Sequence, residues 1–433
     1  MWLVVATALC SIAIPVLAVG TSKQHVLSFL TMDSRSNALN FPPNEMSALD
    51  VASLICLLIW KAVQIQLGLR SNLASRMDIS NSFVDARDKF DLSGHLSGYE
   101  LTMPLNLRAR DVKRYLKALK GESNATKHAI DGPNVKEHDA STFSDPAHLS
   151  LFLSAISEPA FLILLARRDC PIQPLGAVNV RNRFELIDQH SARQLIHACF
   201  DNSQSTIRPK TTIKASILPA ARVVKRGIEI DISVSISLQP SQRESTSIFT
   251  QIFTLLEFVR WPKDFAASLP TISSQSDQTA SASAASDLPG AEHQAGTIKI
   301  HTTDPARWAA LCLDYNPIHH LTLAARMAGF RGRLAHGNHV AARAVEVTRD
   351  QDDSVEVRRS EHYINNPLKG ESNSSEKGFA MEVSFRRPVV VGTQLDVVQR
   401  DAVREGREWH RTGTIEVVDR KTGKVCVEVL LDV

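Results

Sequence analysis

Between Asp314 and Asn338 the sequence crowds together a carboxylate, amides and imidazoles, in Asp314-Tyr-Asn-Pro-Ile-His-His320, Ala324-Ala-Arg-Met-Ala-Gly-Phe330 and Leu334-Ala-His-Gly-Asn338. Pro317 forces a turn and pushes Asn316 out of helical geometry, so Asp314 and His319 can converge from either side of a tight loop. An Asp and a His placed in this way can hold one water between them and share its deprotonation, a general acid/base arrangement. The same spacing also reads as turn chemistry, with Asp314 capping the segment that follows. A metal centre is the weakest reading of His319, His320, His336 and His339. Adjacent histidines generally point apart, and neither an HExxH motif nor a cysteine partner accompanies them. No metal is expected.

The elements that must hold these residues come from a chain of 433 residues, 43% of them hydrophobic, enough to bury a sizeable core in two or three domains. Its net charge of +3 gives no reason to expect a nucleic-acid partner. Six scattered cysteines without a CxxC pair argue against a zinc ribbon or a disulfide framework, and for a reducing compartment around the folded part. Trp2 to Val19 is almost continuously apolar and long enough to cross most of a bilayer as a helix. Residues 1–22 are therefore expected to be a membrane anchor, a cleaved targeting segment or a buried helix. Val51 to Leu69 is interrupted by Lys61, Gln64 and Gln66, so residues 23–99 read as an amphipathic or irregular N-terminal region. Residues 266–296, rich in Ser and Ala, read as a linker between a central block, 100–265, and a C-terminal block, 297–433.

Ile228 to Leu238 alternates apolar and polar residues without a break, the period of a half-buried strand. Ala380 to Phe385, Leu395 to Val403, Thr414 to Val418 and Val425 to Leu431 share the habit. Glu405-Gly406 and Lys421-Thr-Gly-Lys424 supply turns between them. Leu323, Ala324, Met327 and Ala328 follow helical spacing up to a stop at Gly329. Each block thus reads as a helical stretch followed by antiparallel strands, an α+β pattern in which a curved sheet can wrap a helix.

Asp314-x-Asn-Pro-Ile-His319, the Ala-rich helix ending Ala328-Gly-Phe330, and His336-Gly337 together resemble the signature of the MaoC-like, or hydratase 2, family. Val383-Ser-Phe-Arg-Arg-Pro388 and Gly392-Thr393 look like the strand and turn that follow it. In the central block, Pro146-Ala-His148, Ser157-Glu-Pro-Ala-Phe161 and Leu175 to Arg183 resemble the first half of double members, without the Asp-x-Asn-Pro-x-His set. The resemblance implies a double hot-dog, two curved antiparallel sheets each wrapping a central helix, with one active and one degenerate half and an N-terminal hydrophobic helix in front.

The resemblance also implies an activity, that of a (3R)-3-hydroxyacyl-thioester dehydratase or trans-2-enoyl-thioester hydratase of fatty-acid metabolism, a hydro-lyase without cofactor. Asp314 and His319 would activate the water, Asn316 would support the site by hydrogen bonding, and the amide of Gly337 would polarise the thioester carbonyl. Arg326, Arg331 and Arg333 would meet the phosphates of coenzyme A or an acidic acyl carrier protein, or simply form a solvated face. A homodimer is compatible with the family. The expected location is membrane-associated and facing a reducing compartment or, after loss of the N-terminal segment, a mitochondrion or another organelle. A hot-dog thioesterase and a non-catalytic acyl-thioester-binding protein are the competing readings. One departure stands out, because Asn338 puts a polar side chain where the resemblance leads one to expect Met or Leu. It would either line the acyl pocket or face solvent. His336 reads as a structural loop histidine and His320 as a surface or helix-start residue.

Overall fold

The unbroken alternation of Ile228 to Leu238 becomes the centre of a long strand, β5 (Gly227–Gln239), whose Ile230, Ile232, Val234 and Ile236 are all buried. The computed structural model describes residues 38–70, 73, 90–91, 96–120, 142–200, 210–239, 245–259, 261, 292–360, 378–401 and 413–431. Within them, β2 (Glu100–Pro104), β3 (Ala177–Leu186), β4 (Lys210–Val224), β5 and β6 (Thr246–Phe258) form the first half of an antiparallel sheet, with β1 (Phe90–Asp91) also pairing β4. The second half contains β7 (Glu292–Lys299), β8 (Phe379–Phe385), β9 (Gln394–Asp401), β10 (Gly413–Asp419) and β11 (Lys424–Leu431).

The two halves repeat one topology. In the first the spatial order is β2-β4-β5-β6-β3 and in the second β7-β9-β10-β11-β8, so an opening strand, a helix, a second strand and a three-strand meander recur in the same places. The central helices are α3 (Pro146–Ala166) in the first half and α8 (Gly337–Ser360) in the second, each packed on the strands of its own half. This is a double hot-dog. The halves join edge to edge where β3 runs antiparallel to β8, Leu186 opposite Phe379 and Asn182 opposite Val383.

α3 is started by Asp145, whose Oδ1 accepts from the Ala147 N–H at 2.9 Å, with Pro146 in the first turn where its missing N–H costs nothing. Most of its circumference is apolar, and Leu149, Phe152, Leu153, Ile156, Ile163 and Leu164 are all buried. Burying each such side chain contributes roughly 1.5–3 kcal/mol, which makes α3 the main apolar mass of the first half.

Ahead of it, α1 (Ala48–Gln66) begins at a capping box, with Ser47 and Asp50 each satisfying the other's backbone N–H. Leu39, Phe41, Leu54 and Leu58 join the same core, so this part of the amphipathic N-terminal region packs on the globular part. Lys61, a group that made α1 a poor membrane span, is buried and donates to the Leu165 carbonyl at the end of α3. Burial holds its ammonium pKa below the ordinary lysine value. By length and composition α1 and α3 are both long and apolar enough to cross a membrane. α3 spends that hydrophobicity inside the sheet. The apolar run at residues 1–22 lies outside the described residues.

The sequence reading and the structure differ on the helices. The helical stretch read at 322–330 is real but short, α7 (Thr322–Met327), and it ends at Gly329 with φ +89°. The central helix of the second half is α8, which hydropathy did not announce: its buried face is carried by small residues, Ala341, Ala342 and Ala344 beside Val340 and Val345, and arginines interrupt it. In each half a strand precedes the helix, β2 and β7. β7 starts at Glu292, inside the stretch read as linker; most of that stretch, and the turn at Glu405-Gly406, lie outside the described residues.

Between the two central helices lies a buried polar chain. Tyr115 of α2 (Ala109–Lys120) places its hydroxyl 2.9 Å from His148 Nδ1, and His148 Nε2 lies 2.9 Å from Glu346 Oε2 on α8. Burial alone would raise the Glu346 carboxyl, but the His148 contact and the Arg349 guanidinium outweigh it and hold the pKa below its ordinary value. A carboxyl depressed in the folded state stabilises the protein above its unfolded pKa and loses that contribution as pH falls through the folded value. The melting temperature should therefore drop more steeply between about pH 5 and pH 3 in the unsubstituted protein than in Glu346→Gln, by a few degrees in thermal denaturation.

Candidate active site

Asp314 is delivered by the end of a helix. α5 (Asp304–Cys312) closes with Leu313 in the left-handed region at φ 57°, its N–H on the Ala309 carbonyl at 2.8 Å. A leucine held there costs on the order of 1–3 kcal/mol, strain stored one residue before the carboxylate. Asp314 Oδ1 then accepts from the Asn316 N–H at 3.0 Å, and Asn316 Oδ1 caps the next turn by accepting from the Ile318 N–H at 3.3 Å. That turn is α6 (Pro317–His320), with Pro317 in its first position. Turn chemistry and site chemistry thus coexist. Asn316 is the helix cap, and one oxygen of Asp314 holds the loop while Oδ2 faces the histidines.

His319 is fixed from the far side of the loop, its Nδ1 3.0 Å from the Leu334 carbonyl. A proton must sit on Nδ1 to make that bond, which leaves the Nε2 lone pair 3.7 Å from Asp314 Oδ2. The Leu334 segment is itself pinned: Leu334 N–H donates to the Ile318 carbonyl, Ala335 N–H to Val389, and Val391 N–H to Arg333. His336 follows directly. Its ring stacks on His319 with centroids 3.8 Å apart, and its Nε2 lies 3.1 Å from the Asp314 carbonyl and 3.6 Å from Asp314 Oδ2. The loop histidine of the sequence reading is a wall of the site. Burial and the neighbouring His319 push its pKa well below the ordinary histidine value, and burial likewise lowers His320, which stacks on Tyr315.

Asp314, His319 and His336 bring ligand atoms within 4.8 Å of one another, close enough to suggest a metal. The hydrogen bonds count against that use. His336 Nε2 must carry a proton to meet the Asp314 carbonyl, so as built it offers no lone pair at that atom, and one imidazole and one carboxylate oxygen remain.

Glu158 escaped the sequence reading. It belongs to α3, in the half without the motif, where burial and the negative charge of Asp314 push its carboxyl well above the ordinary range, and it bonds the buried thiol of Cys312. The shift favours the neutral acid, which limits the negative charge beside Asp314. The signal was available: Glu158 is the one Asp, Glu, Lys or Arg in the helix Pro146–Ala166.

α8 begins at the stacked histidines. His336 caps it, its carbonyl accepting from Val340 N–H at 3.1 Å, so Gly337, Asn338 and His339 sit in the first turn, whose N–H groups have no intrahelical acceptor. Asn338 neither faces solvent nor stands alone, being buried and hydrogen-bonded on both sides of its amide. His339 bonds the Ala118 carbonyl, and burial together with Arg343 takes its pKa down to about 4. Arg343 is half-buried and pairs the buried Asp304 at 3.3 Å, whereas Arg326 and Arg331 are exposed and Arg333 is half-buried.

Residues 285–357, which hold Asp314, His319, His336 and Gly337, match the family model of the MaoC-like domain. The chain carries a MaoC-like domain. Glu158 and Asn182, the latter bonded to Asn338, lie outside the matched residues and reach this domain from the first hot-dog. Curated proteins include no match to the chain. Among solved structures it is similar to HtdX of Mycobacterium tuberculosis, at 15% identity over 77% of this chain and 98% of that one, TM-score 0.43. It is also similar to a MaoC-like dehydratase from Phytophthora capsici, at 11% identity over 79% and 98%, TM-score 0.45. A third similarity is to the peroxisomal multifunctional enzyme type 2 of Drosophila melanogaster, at 14% identity over 77% and 48%, TM-score 0.42.

Gly337 of the MaoC-like domain has a packing reason to be glycine. A Cβ there would fall 2.3 Å from Cε1 of the Phe385 ring. Alanine would gain about 1 kcal/mol in helix propensity, but overpacking of this kind costs about 1–3 kcal/mol, so the clash prevails. Gly337→Ala should lower stability in urea denaturation, and adding Phe385→Leu should restore most of the loss.

Proposed function

We propose that the protein is a trans-2-enoyl-thioester hydratase, equivalently a (3R)-3-hydroxyacyl-thioester dehydratase. The observation that carries this reading is the pairing of Asp314 Oδ2 with the Nε2 lone pair of His319, 3.7 Å apart, beside the first turn of α8. That separation is too long for a direct hydrogen bond and suits one water shared between two acceptors.

In the hydration direction such a water would give a proton to the pair as its oxygen attacks C3 of the enoyl thioester. Negative charge then develops on the thioester oxygen, where the Gly337 N–H at the positive end of α8 would stabilise it. A proton returns to C2, giving the 3-hydroxyacyl thioester, and dehydration retraces the path. Burial shifts His336 toward its neutral form, and its contacts with the Asp314 carbonyl and the His319 ring would orient both partners. The substrate would be the thioester of coenzyme A or of an acyl carrier protein. The MaoC-like match over the residues of this pair supports the reading.

The test is loss of enoyl absorbance when the full-length protein is given trans-2-enoyl-CoA or the corresponding carrier-protein thioester. Asp314→Asn and His319→Ala should each slow turnover by roughly 10²–10⁴-fold while the melting temperature stays close to that of the parent. Release of free thiol in place of hydration would make the protein a thioesterase, and equal turnover in both variants would remove these two residues from the chemistry.

A further inference from the structure

The first hot-dog has no motif of its own, yet a chain of amides, half-buried at Asn179 and buried from Asn182 on, runs from it into the first turn of α8. Asn179 Nδ2 donates to Asn182 Oδ1 at 2.9 Å, Asn182 Nδ2 donates to Asn338 Oδ1 at 2.7 Å, and Asn338 Nδ2 donates to Ser154 Oγ of α3 at 3.3 Å. Asn182 and Ser154 are wholly buried and Asn338 nearly so. Both ends of the Asn338 amide are therefore held by the other half of the protein.

The backbone is shaped for this. Residues three apart on a regular strand point to opposite faces, so Asn179 and Asn182 could not normally meet. β3 bulges between Asn179 and Arg181 in its pairing with β6, and the extra residue brings the two asparagines onto one side. Asn182 sits in the seam itself, opposite Val383 of β8, while the last residue of β8, Phe385, lies against Gly337. The two seam strands thus grip adjacent residues of α8, β8 at Gly337 by packing and β3 at Asn338 by hydrogen bonding.

We infer that Asn182 is a positioning residue for the reaction, clamping Asn338 so that the neighbouring Gly337 N–H is fixed where the thioester oxygen gains charge. The inference rests on the reading of Gly337 as the carbonyl donor. It gives the motif-free half a task in the chemistry and explains why a polar residue follows Gly337. Loss of the clamp leaves the donor present but loosely held, and a donor displaced by about 1 Å can cost up to 10²-fold in rate.

Asn182→Leu, close to isosteric, should lower kcat by roughly tenfold to a hundredfold with KM within about threefold, because the donor matters most when charge develops. A second readout uses a conjugated 2,4-dienoyl-CoA bound to Asp314→Asn, whose absorbance moves to the red when the carbonyl is polarised. Adding Asn182→Leu should shrink that shift by at least half, with the dissociation constant within about threefold. Hydrogen exchange at Val340–Ala342, whose amides close the first turn of α8, should accelerate at least tenfold in Asn182→Leu without any substrate. Should Asn182→Leu fail to fold, Ser154→Ala removes the other end of the clamp and should shift all three readouts in the same direction. An unchanged kcat and red shift with only a lower melting temperature would overturn the inference, and so would unchanged exchange. Absence of any red shift in Asp314→Asn with dienoyl-CoA bound would instead defeat the donor reading of Gly337, while exchange would still decide the clamp.

Discussion

The pairing of β3 with β8 is the constraint on which the rest of the molecule depends. Each half taken alone would leave its β3 or β8 edge open beside its outer edge, with a further row of unpaired N–H and C=O groups that must find partners. Joining the edges satisfies both rows and makes one continuous sheet with a central helix in each half. It also fixes where the halves can cooperate, since the start of α8 lies against Phe385 at the end of β8 and bonds Asn182 on the neighbouring strand. The Asp314 loop is tied to the same place through Leu334, Ala335 and the 389–391 segment that follows β8.

Burial at this junction sets the electrostatics. Two histidine rings stacked at 3.8 Å cannot both carry charge cheaply in a poorly solvated site, and burial places the penalty on His336. Glu158, approached by the charge of Asp314, is shifted toward its neutral form for the matching reason with opposite sign. A site assembled from one imidazole lone pair, one carboxylate and neutral neighbours is suited to moving a single proton to and from water. Arg333, half-buried beyond Phe330, disfavours a further positive charge on His320.

What the sequence made legible follows from how local the signals are. The period of two in Ile228 to Leu238 and in the C-terminal runs exposed the strands, because each has one face on a helix and one face outside. Pro317 between Asp314 and His319 exposed the loop, because its conformational restriction acts on its own neighbours. α8 was invisible to the same approach: its core face is made of alanines, which carry little hydrophobic contrast against the arginines between them. Glu158 carried a local signal as the one charged side chain of an apolar helix, but Asn182 was beyond reach because its partner is far along the chain, Asn182 and Asn338 being 156 residues apart. Such contacts come from the seam register, which no local pattern encodes.

The asymmetry between the halves is compatible with one topology repeated within one chain. Two identical hot-dogs would each have to supply a loop, a donor helix and a wall for the other. With both covalently joined, one half can do without the Asp-x-Asn-Pro-x-His motif provided that it still supplies the wall, here Ser154 and Glu158 one helical turn apart on α3, and Asn182 on β3. Freed from carrying a second site, the interior of the first half can hold α3 as an almost wholly apolar rod. The few polar groups it keeps facing α8 and Asp314 are those that the second half uses, so a residue can serve the site without lying in the half that bears the motif.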